Sequence, residues 1–274
     1  MRPKGILEVN IGIIGSGNMG SALIKGMLKA KLISKKNIFA ADLDILKLKK
    51  IKKETDINIT DSNEKLIKSC GIIIIAVKPQ TIDIVLNDFK QNTHKKIVIS
   101  IVAGITTNYI EKKMENKNIS IIRVMPNTPA LIGEGMIAIS SGRWTSSNDL
   151  NLANKIFSSV GKVVYIKEKL MNAVTAVSGS GPAYLFYFIE ALREGAYKAG
   201  LSKDIADILV KQTIYGASKM VVSLKDDPIT LRQQVTSPGG TTMAAIKVFE
   251  NKRFKEIIKY AISSAKNRAK ELTK

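Results

Sequence analysis

Ile11-Gly12-Ile13-Ile14-Gly15-Ser16-Gly17-Asn18-Met19-Gly20 is the stretch from which the fold is read. Its first four residues have β-strand character and run straight into Gly15-x-Gly17-x-x-Gly20. Ala22, Leu23, Met27 and Leu28 then recur at helical spacing, with Lys25 and Lys29 off that face. The order is strand, tight turn, helix. Gly15 permits the turn, Gly17 lets a pyrophosphate approach the backbone, and Gly20 lets the helix pack close to the strand. The free N–H groups and the positive end of the helix dipole face the phosphates. Glycine turns are common, so the context decides. A second strand, Asn37 to Ala41, ends at Asp42, 22 residues beyond Gly20 and near the spacing of a ribose-binding carboxylate. The pattern predicts dinucleotide binding.

Working outward, strand and helix patterns alternate to about Ile166. Gly71-Ile-Ile-Ile-Ile-Ala76-Val77 is an unbroken apolar run, the mark of a parallel strand buried on both faces. Lys96 to Ile101 and Ile119 to Met125 read the same way, and Met136 to Ser140 and Gly161 to Ile166 add two more strands. Such a sheet binds ligands at the carboxyl ends of its strands. Gly15 to Gly20, Asp42, Val77-Lys78-Pro79, Val102-Ala103-Gly104 and Met125-Pro126-Asn127 all fall there. From Glu168 the texture is helical to the end. One helix is expected from Glu168 to Ser178, interrupted by Ser178-Gly-Ser-Gly-Pro182, and a very apolar one follows from Ala183 to Ala199. The expected architecture is α/β: a Rossmann-type, doubly wound sheet over residues 1–166, then an all-α domain over residues 167–274. The Tyr184 to Leu192 segment is apolar on most faces, which implies burial all round, most simply against a second copy of the chain.

The bulk numbers narrow the class. Hydrophobic content of 45% and charged content of 24% are those of a water-soluble globular protein. No apolar run reaches the roughly 20 residues that span a bilayer, and the start of the chain has no signal-peptide pattern. One cysteine and one histidine exclude an internal disulfide and a Cys/His zinc site, which fits the cytoplasm. The net charge of +20 comes from lysines spread along the chain, and aromatics are only 5%, so no nucleic-acid stacking platform is evident. His94 reads as a solvated turn residue and a poor general acid, and Cys70 as a small packing residue.

Five motifs together carry a resemblance. Gly15-Ser-Gly-Asn-Met-Gly20, Ala76-Val-Lys-Pro79, Arg123-Val-Met-Pro-Asn-Thr-Pro129, Ser178-Gly-Ser-Gly-Pro-Ala-Tyr184 and Thr236-Ser-Pro-Gly-Gly-Thr-Thr242 resemble the motif set of the pyrroline-5-carboxylate reductases. They occur in the family's order over nearly the whole chain, and the last two are the most specific. The resemblance implies hydride transfer from NADH or NADPH to the C=N bond of 1-pyrroline-5-carboxylate, giving L-proline, with no metal. It places dinucleotide contacts on Gly15, Ser16, Gly17, Asn18, Met19, Gly20, Asn63, Ala76, Val77, Lys78, Pro79, Val102, Ala103 and Gly104. It places the substrate loop on Ser237, Gly239, Gly240, Thr241 and Thr242, with Thr242 near the imine nitrogen, and Glu168 close to cofactor and substrate. The apolar helix already predicts a homodimer built through the helical domain, and members of the family it resembles also form decamers.

Elementary chemistry asks the same of these residues. Reducing a cyclic imine needs a polarised nitrogen, a nicotinamide against one ring face and a held carboxylate. The glycines of Ser237 to Thr242 free backbone N–H groups at a helix start, where the dipole favours an anion. The Thr242 hydroxyl suits the imine nitrogen. Helix capping alone is the alternative for Thr241 and Thr242. Ser178 to Pro182, with Ser180 at its centre, reads as both a kink and a wall of the substrate pocket. Asp42 suits the ribose hydroxyls of NADH and repels the 2′-phosphate of NADPH, with no arginine at 43 or 44 to compensate, so NADH is favoured. Two other readings remain open. In a reductase of the β-hydroxyacid dehydrogenase type a lysine is needed in the helix after Gly181, which has none before Lys198. In a non-catalytic dinucleotide-binding regulator the Ser237 to Thr242 loop would have no role.

Overall fold

The computed structural model describes residues 7–89, 96–115 and 119–274. His94 lies outside them. Eight strands appear among the described residues: β1 (Ile11–Ile14), β2 (Ile38–Ala41), β3 (Asn58–Thr60), β4 (Ile72–Ile75), β5 (Ile97–Ser100), β6 (Ser120–Met125), β7 (Gly135–Ser141) and β8 (Gly161–Tyr165). They form one sheet in the order β3-β2-β1-β4-β5-β6-β7-β8. Every neighbouring pair is parallel except β6 with β7. That exception follows from the chain between them. Residues 126–134 hold only one short 3₁₀ turn, Thr128–Ile132, too little for the dozen or so residues of a parallel crossover. The chain lays down β1 to β3 on one side and β4 onward on the other, so the switch point falls between β1 and β4.

Alternation of side chains gives the sheet two apolar faces. Ile11, Ile13, Ile72 and Ile74 face one layer, with Leu23, Ile24 and Met27 of α1 (Asn18–Lys29) and Leu48 and Ile51 of α2 (Ile45–Thr55). Ile14, Ile73 and Ile75 face the other, with Leu66 of α3 (Asn63–Ser69), Leu86 of α4 (Ile82–Asn87) and Ile110 of α5 (Thr107–Met114). The layer under α1 also takes Ile156 and Phe157 of α6 (Ser147–Phe157). Each fully buried isoleucine adds on the order of 2 kcal/mol by removing apolar surface from water. The helices start where the sequence offers caps: Asp44 before α2, Ser62 before α3, Thr106 before α5, and a reciprocal Ser146–Asp149 box at α6.

The segment after β8 differs from the single interrupted helix expected. Glu168–Leu170 is a 3₁₀ turn, α7 spans Met171–Val174, and Thr175–Gly179 is a π turn that leads directly into α8 (Gly181–Lys198). Pro182 is the cause. It has no N–H to offer the Ser178 carbonyl, which accepts instead from Asn127 Nδ2 at 3.0 Å, and the local bond becomes Ser180 N–H to the Thr175 oxygen at 2.8 Å. The helical part continues with α9 (Lys203–Ser223), α10 (Pro228–Gln234), α11 (Thr241–Asn251) and α12 (Phe254–Glu271).

The chain packs as two compact units. One holds the described residues up to Ser180 together with Ala265–Lys274, and the other is Gly181–Ser264. The first extends past residue 166 because Met171 and Ala176 are fully buried in it. Within the second, Arg193 of α8 pairs with Asp207 of α9 at 2.5 Å, and Phe254 stacks at a tilt on Phe188 and Phe249. Leu185, Phe186 and Tyr187 are 41%, 55% and 75% exposed in the single chain, and α8 has no buried residue. No helix among the described residues is long and apolar enough to cross a membrane.

Candidate functional site

The switch point carries a cleft of about 250 Å³, lined by Gly15 and Gly17 after β1, Asp42 after β2, Asn63, and Ala76 to Lys78 after β4. Gly15 is held from both neighbours: its N–H donates to the Ala41 oxygen at 2.7 Å, while Ala76 N–H donates to the Ile14 oxygen at 2.8 Å. It sits at φ +103°, and a Cβ there would lie 2.5 Å from the Ala76 oxygen, so only glycine fits. A Cβ on Gly20 would strike the Gly15 carbonyl, which fixes how closely α1 approaches the turn. Gly17 is the opposite case. A Cβ there would meet nothing within 4 Å, and Gly17 begins α1 without a side-chain cap. The start of α1 is therefore open over Gly17, and a helix start of this kind suits a pyrophosphate.

Asp42 is tied into this turn. Its Oδ2 accepts from Ser16 N–H at 2.7 Å and from the Ser16 hydroxyl at 2.9 Å, and its Oδ1 accepts from Asp44 N–H at 2.9 Å. Asn63 lines the cleft and donates to Asp88 at 2.9 Å. Asn18 and Ser16 border an adjoining depression with Lys25, Lys47 and Lys50, whereas the Met19 side chain packs on the apolar layer. Pro79, Ala103 and Gly104 line a second cavity of about 280 Å³ in the same unit, and Val102 is buried behind them.

Glu168 is spent on the start of α5. Its Oε1 accepts from Thr107 N–H at 2.8 Å and its Oε2 from the Thr107 hydroxyl at 2.7 Å. Arg123 Nη1 approaches Oε1 at 3.3 Å. Arg123 is only 4% exposed, in mid-β6, in register between Ser100 and Ser140, which are buried too. Burial pushes its guanidinium pKa down, and Glu168 opposes that. Sequence reasoning passed over Arg123 as a site residue, although a lone charge inside Ile119 to Val124 was a signal. It missed Thr107 as a partner of Glu168, and named Asn127 only as part of a segment at a ligand-binding strand end. Asn127 Oδ1 accepts from Met136 N–H at 2.8 Å while its amide holds the π turn, and that turn carries Ser180.

In the helical unit, Ser237 to Gly240 turn into α11. Gly239 is at φ +73°, and Gly240 N–H donates to the Ser237 oxygen at 3.1 Å. The helix cap is Gly240, with no side-chain cap bond. Thr241 and Thr242 are the first two helical residues, so neither is spent on capping. The loop presents backbone N–H groups and hydroxyls at the positive end of an 11-residue helix. Among the described residues no cluster of His, Cys, Asp and Glu is arranged to hold a metal.

Comparison with known proteins places this geometry in a family. Residues 168–272 match the family model described as pyrroline-5-carboxylate reductase dimerisation, and residues 10–104 match that described as NADP oxidoreductase coenzyme F420-dependent. The chain is 40% identical to the pyrroline-5-carboxylate reductase of Methanosarcina acetivorans over 96% of this chain and 98% of that one. A solved pyrroline-5-carboxylate reductase from Coxiella burnetii superposes with a TM-score of 0.92 at 36% identity, covering 98% of this chain and 100% of that one. A Plasmodium falciparum pyrroline carboxylate reductase solved with NADP bound superposes with a TM-score of 0.88 at 37% identity, with the same coverage.

Proposed function

The chain belongs to the pyrroline-5-carboxylate reductase family, and on that premise we propose that it reduces the C=N bond of 1-pyrroline-5-carboxylate to give L-proline, using a nicotinamide dinucleotide. The observation that carries the substrate half is the uncapped start of α11, where backbone N–H groups and two threonine hydroxyls are left for a ligand. The cofactor half is supported by the open face over Gly17 at the switch point.

When bound, the dinucleotide supplies the hydride. The protein supplies position and charge. Gly17 to Gly20 would hold the pyrophosphate through first-turn N–H groups, with Asn18 and Met19 contributing backbone, while Gly15 and Ser16, whose N–H groups bond Ala41 and Asp42, shape the turn. Asn63, Ala76 to Pro79 and Val102 to Gly104 line the path of the rest of the dinucleotide. Ser237, Gly239, Gly240 and Thr241 hold the substrate carboxylate, and the Thr242 hydroxyl hydrogen-bonds the imine nitrogen, so the ring carbon becomes electrophilic. Ser180 walls the substrate. Glu168 contributes by holding Thr107, at the start of the helix that follows Val102 to Gly104.

Asp42 sets the cofactor preference toward NADH. A carboxylate has about four acceptor positions. Three are engaged by Ser16 and Asp44, which fixes the group and leaves one for a ribose hydroxyl. Lys47, one of two lysines lining the cleft, pairs with Asp44 at 3.2 Å. The active form is a homo-oligomer of at least two chains, joined through the exposed face of α8.

The test is oxidation of NADH by pyrroline-5-carboxylate, with Thr242→Ala beside the parent. Loss of the hydroxyl is expected to lower kcat/KM by about a hundredfold while leaving NADH affinity within a few-fold. An unchanged kcat/KM would remove Thr242 from the chemistry. Turnover of keto acids in place of the imine would favour the dehydrogenase reading.

A further inference from the structure

We propose that Leu272–Lys274 form a positioning strap for the loop after β5, and through it for the nicotinamide end of the cofactor, a role that rests on the function proposed above. The tail runs against the loop with reciprocal backbone bonds. Lys274 N–H donates to the Gly104 oxygen at 2.8 Å, and the Lys274 oxygen accepts from Thr106 N–H at 3.3 Å and from the Thr106 hydroxyl at 2.8 Å. Thr273 reaches Asn172 at 3.2 Å. The approach is close enough to dictate a residue type: Gly104 sits at φ +77°, and a Cβ there would lie 2.5 Å from the Leu272 oxygen. Glu168 ties down the next residue, Thr107, so the segment from Gly104 to Thr107 is gripped from two sides.

The place of the strap argues for more than local packing. Leu272 and Lys274 line the 280 Å³ cavity together with Pro79, Ala103 and Gly104 among others. None of the three tail residues lines the cleft at Gly15, Gly17 and Asp42. A tail that merely stabilised the fold would act on both places alike. A strap acts on the second alone, because a loop released from its wall no longer fixes the ring that rests on it, while the pyrophosphate cradle stands unchanged.

Four variants test this: the chain ended after Glu271, Lys274→Pro (which removes the N–H donor), Gly104→Ala, and Gly104→Ala with the shortened tail. Each is measured for the Kd of NADH, the Kd of ADP-ribose, and kcat with pyrroline-5-carboxylate. The shortened chain should lose at least tenfold in kcat and several-fold in NADH affinity, with ADP-ribose affinity within twofold of the parent. Lys274→Pro should move the same way by less, and it decides the matter if the shortened chain does not fold. The loss in the Gly104→Ala chain with the shortened tail should be smaller than the two single losses combined, because the carbonyl that the new methyl strikes is gone. Unchanged kcat and NADH affinity would overturn the strap, as would an equal loss of ADP-ribose affinity. A parent chain that binds NADH yet leaves pyrroline-5-carboxylate untouched would overturn the proposed reaction instead, and the strap would still be judged on the ratio of the two affinities.

Discussion

Replacing Glu168 with alanine should be one of the more damaging single changes away from the sheet core, and its effect can be worked from the contacts. Arg123 is 4% exposed and Glu168 26% exposed as side chains, with 3.3 Å between Nη1 and Oε1. Removing one partner of a buried pair costs about 3–5 kcal/mol, because the other charge stays behind without compensation. Water reaches Glu168, and the separation is long, so the charge alone falls at or below the bottom of that range, about 2–3 kcal/mol. Two more bonds go with it, those to Thr107 N–H and Oγ. One of them satisfies an otherwise orphaned first-turn donor of α5, worth about 1 kcal/mol. The total is about 3–4 kcal/mol for Glu168→Ala. Glu168→Gln keeps a carbonyl for Thr107 and should lose about half as much. Arg123→Met removes the buried charge together with the need to neutralise it, and leaves Glu168 bonded to Thr107 and partly in water, so it should cost about 1–2 kcal/mol. Urea unfolding followed through Trp144, the sole tryptophan, reads this directly, because Trp144 lies in the sheet-bearing unit. A loss below about 1 kcal/mol for Glu168→Ala, or a larger loss for Arg123→Met than for Glu168→Ala, would refute the reasoning.

Asp42→Ser should move cofactor preference toward NADPH by about tenfold in the ratio of kcat/KM values, since a unit charge near a phosphate in a wet cleft is worth about 1–2 kcal/mol. A parent that prefers NADPH would refute the role given to Asp42. Cys70 is 2% exposed and burial pushes its thiol up to about 12, so it should stay unreactive to a thiol reagent at pH 8 and react once the chain is unfolded in urea. Rapid labelling of the native protein would contradict that. Phe186→Lys puts a charge on the exposed face of α8, and should shift the protein to monomer in gel filtration and abolish turnover while the far-ultraviolet spectrum is kept.

What the sequence made legible was whatever rests on local pattern. The run Ile11 to Gly20 predicts strand, turn and helix, and each is present, because the three glycines and the apolar stripe act within one short segment. Thr106 and Ser62 cap their helices as their chemistry suggests. What escaped depends on partners distant in the chain. The resemblance set Glu168 close to cofactor and substrate, and its bonds to Thr107 and Arg123, 61 and 45 residues away, have no signature in the local pattern. Thr106 had a visible role as a cap and an invisible one as the anchor for Lys274, 168 residues on. The antiparallel strand β7 depended on how few residues separate it from β6, a constraint that apolar runs do not display. The π turn escaped because Pro182 was read as a local breaker. Its effect is exerted through the Ser178 carbonyl, whose replacement partner, Asn127, lies 51 residues upstream.

Those distant partners share a purpose that follows from their positions. Asn127, just beyond β6, holds the π turn, while Glu168 and the tail hold the start of α5 and Gly104, both just beyond β5, so each fixes a segment outside the sheet. Such segments cannot be made rigid by the sheet, because the ladder of strand hydrogen bonds stops where they begin. Nor can an apolar core fix them, since a ligand must reach them. Polar bonds from remote parts of the chain are the remaining means, and those of Glu168 and Asn127 are partly shielded from water. The same shielding makes each of those bonds expensive to lose. It follows that substitutions at Asn127, Glu168 and Thr106 should injure catalysis before they unfold the sheet, whereas substitutions at Ile13 or Ile74 should unfold the sheet first.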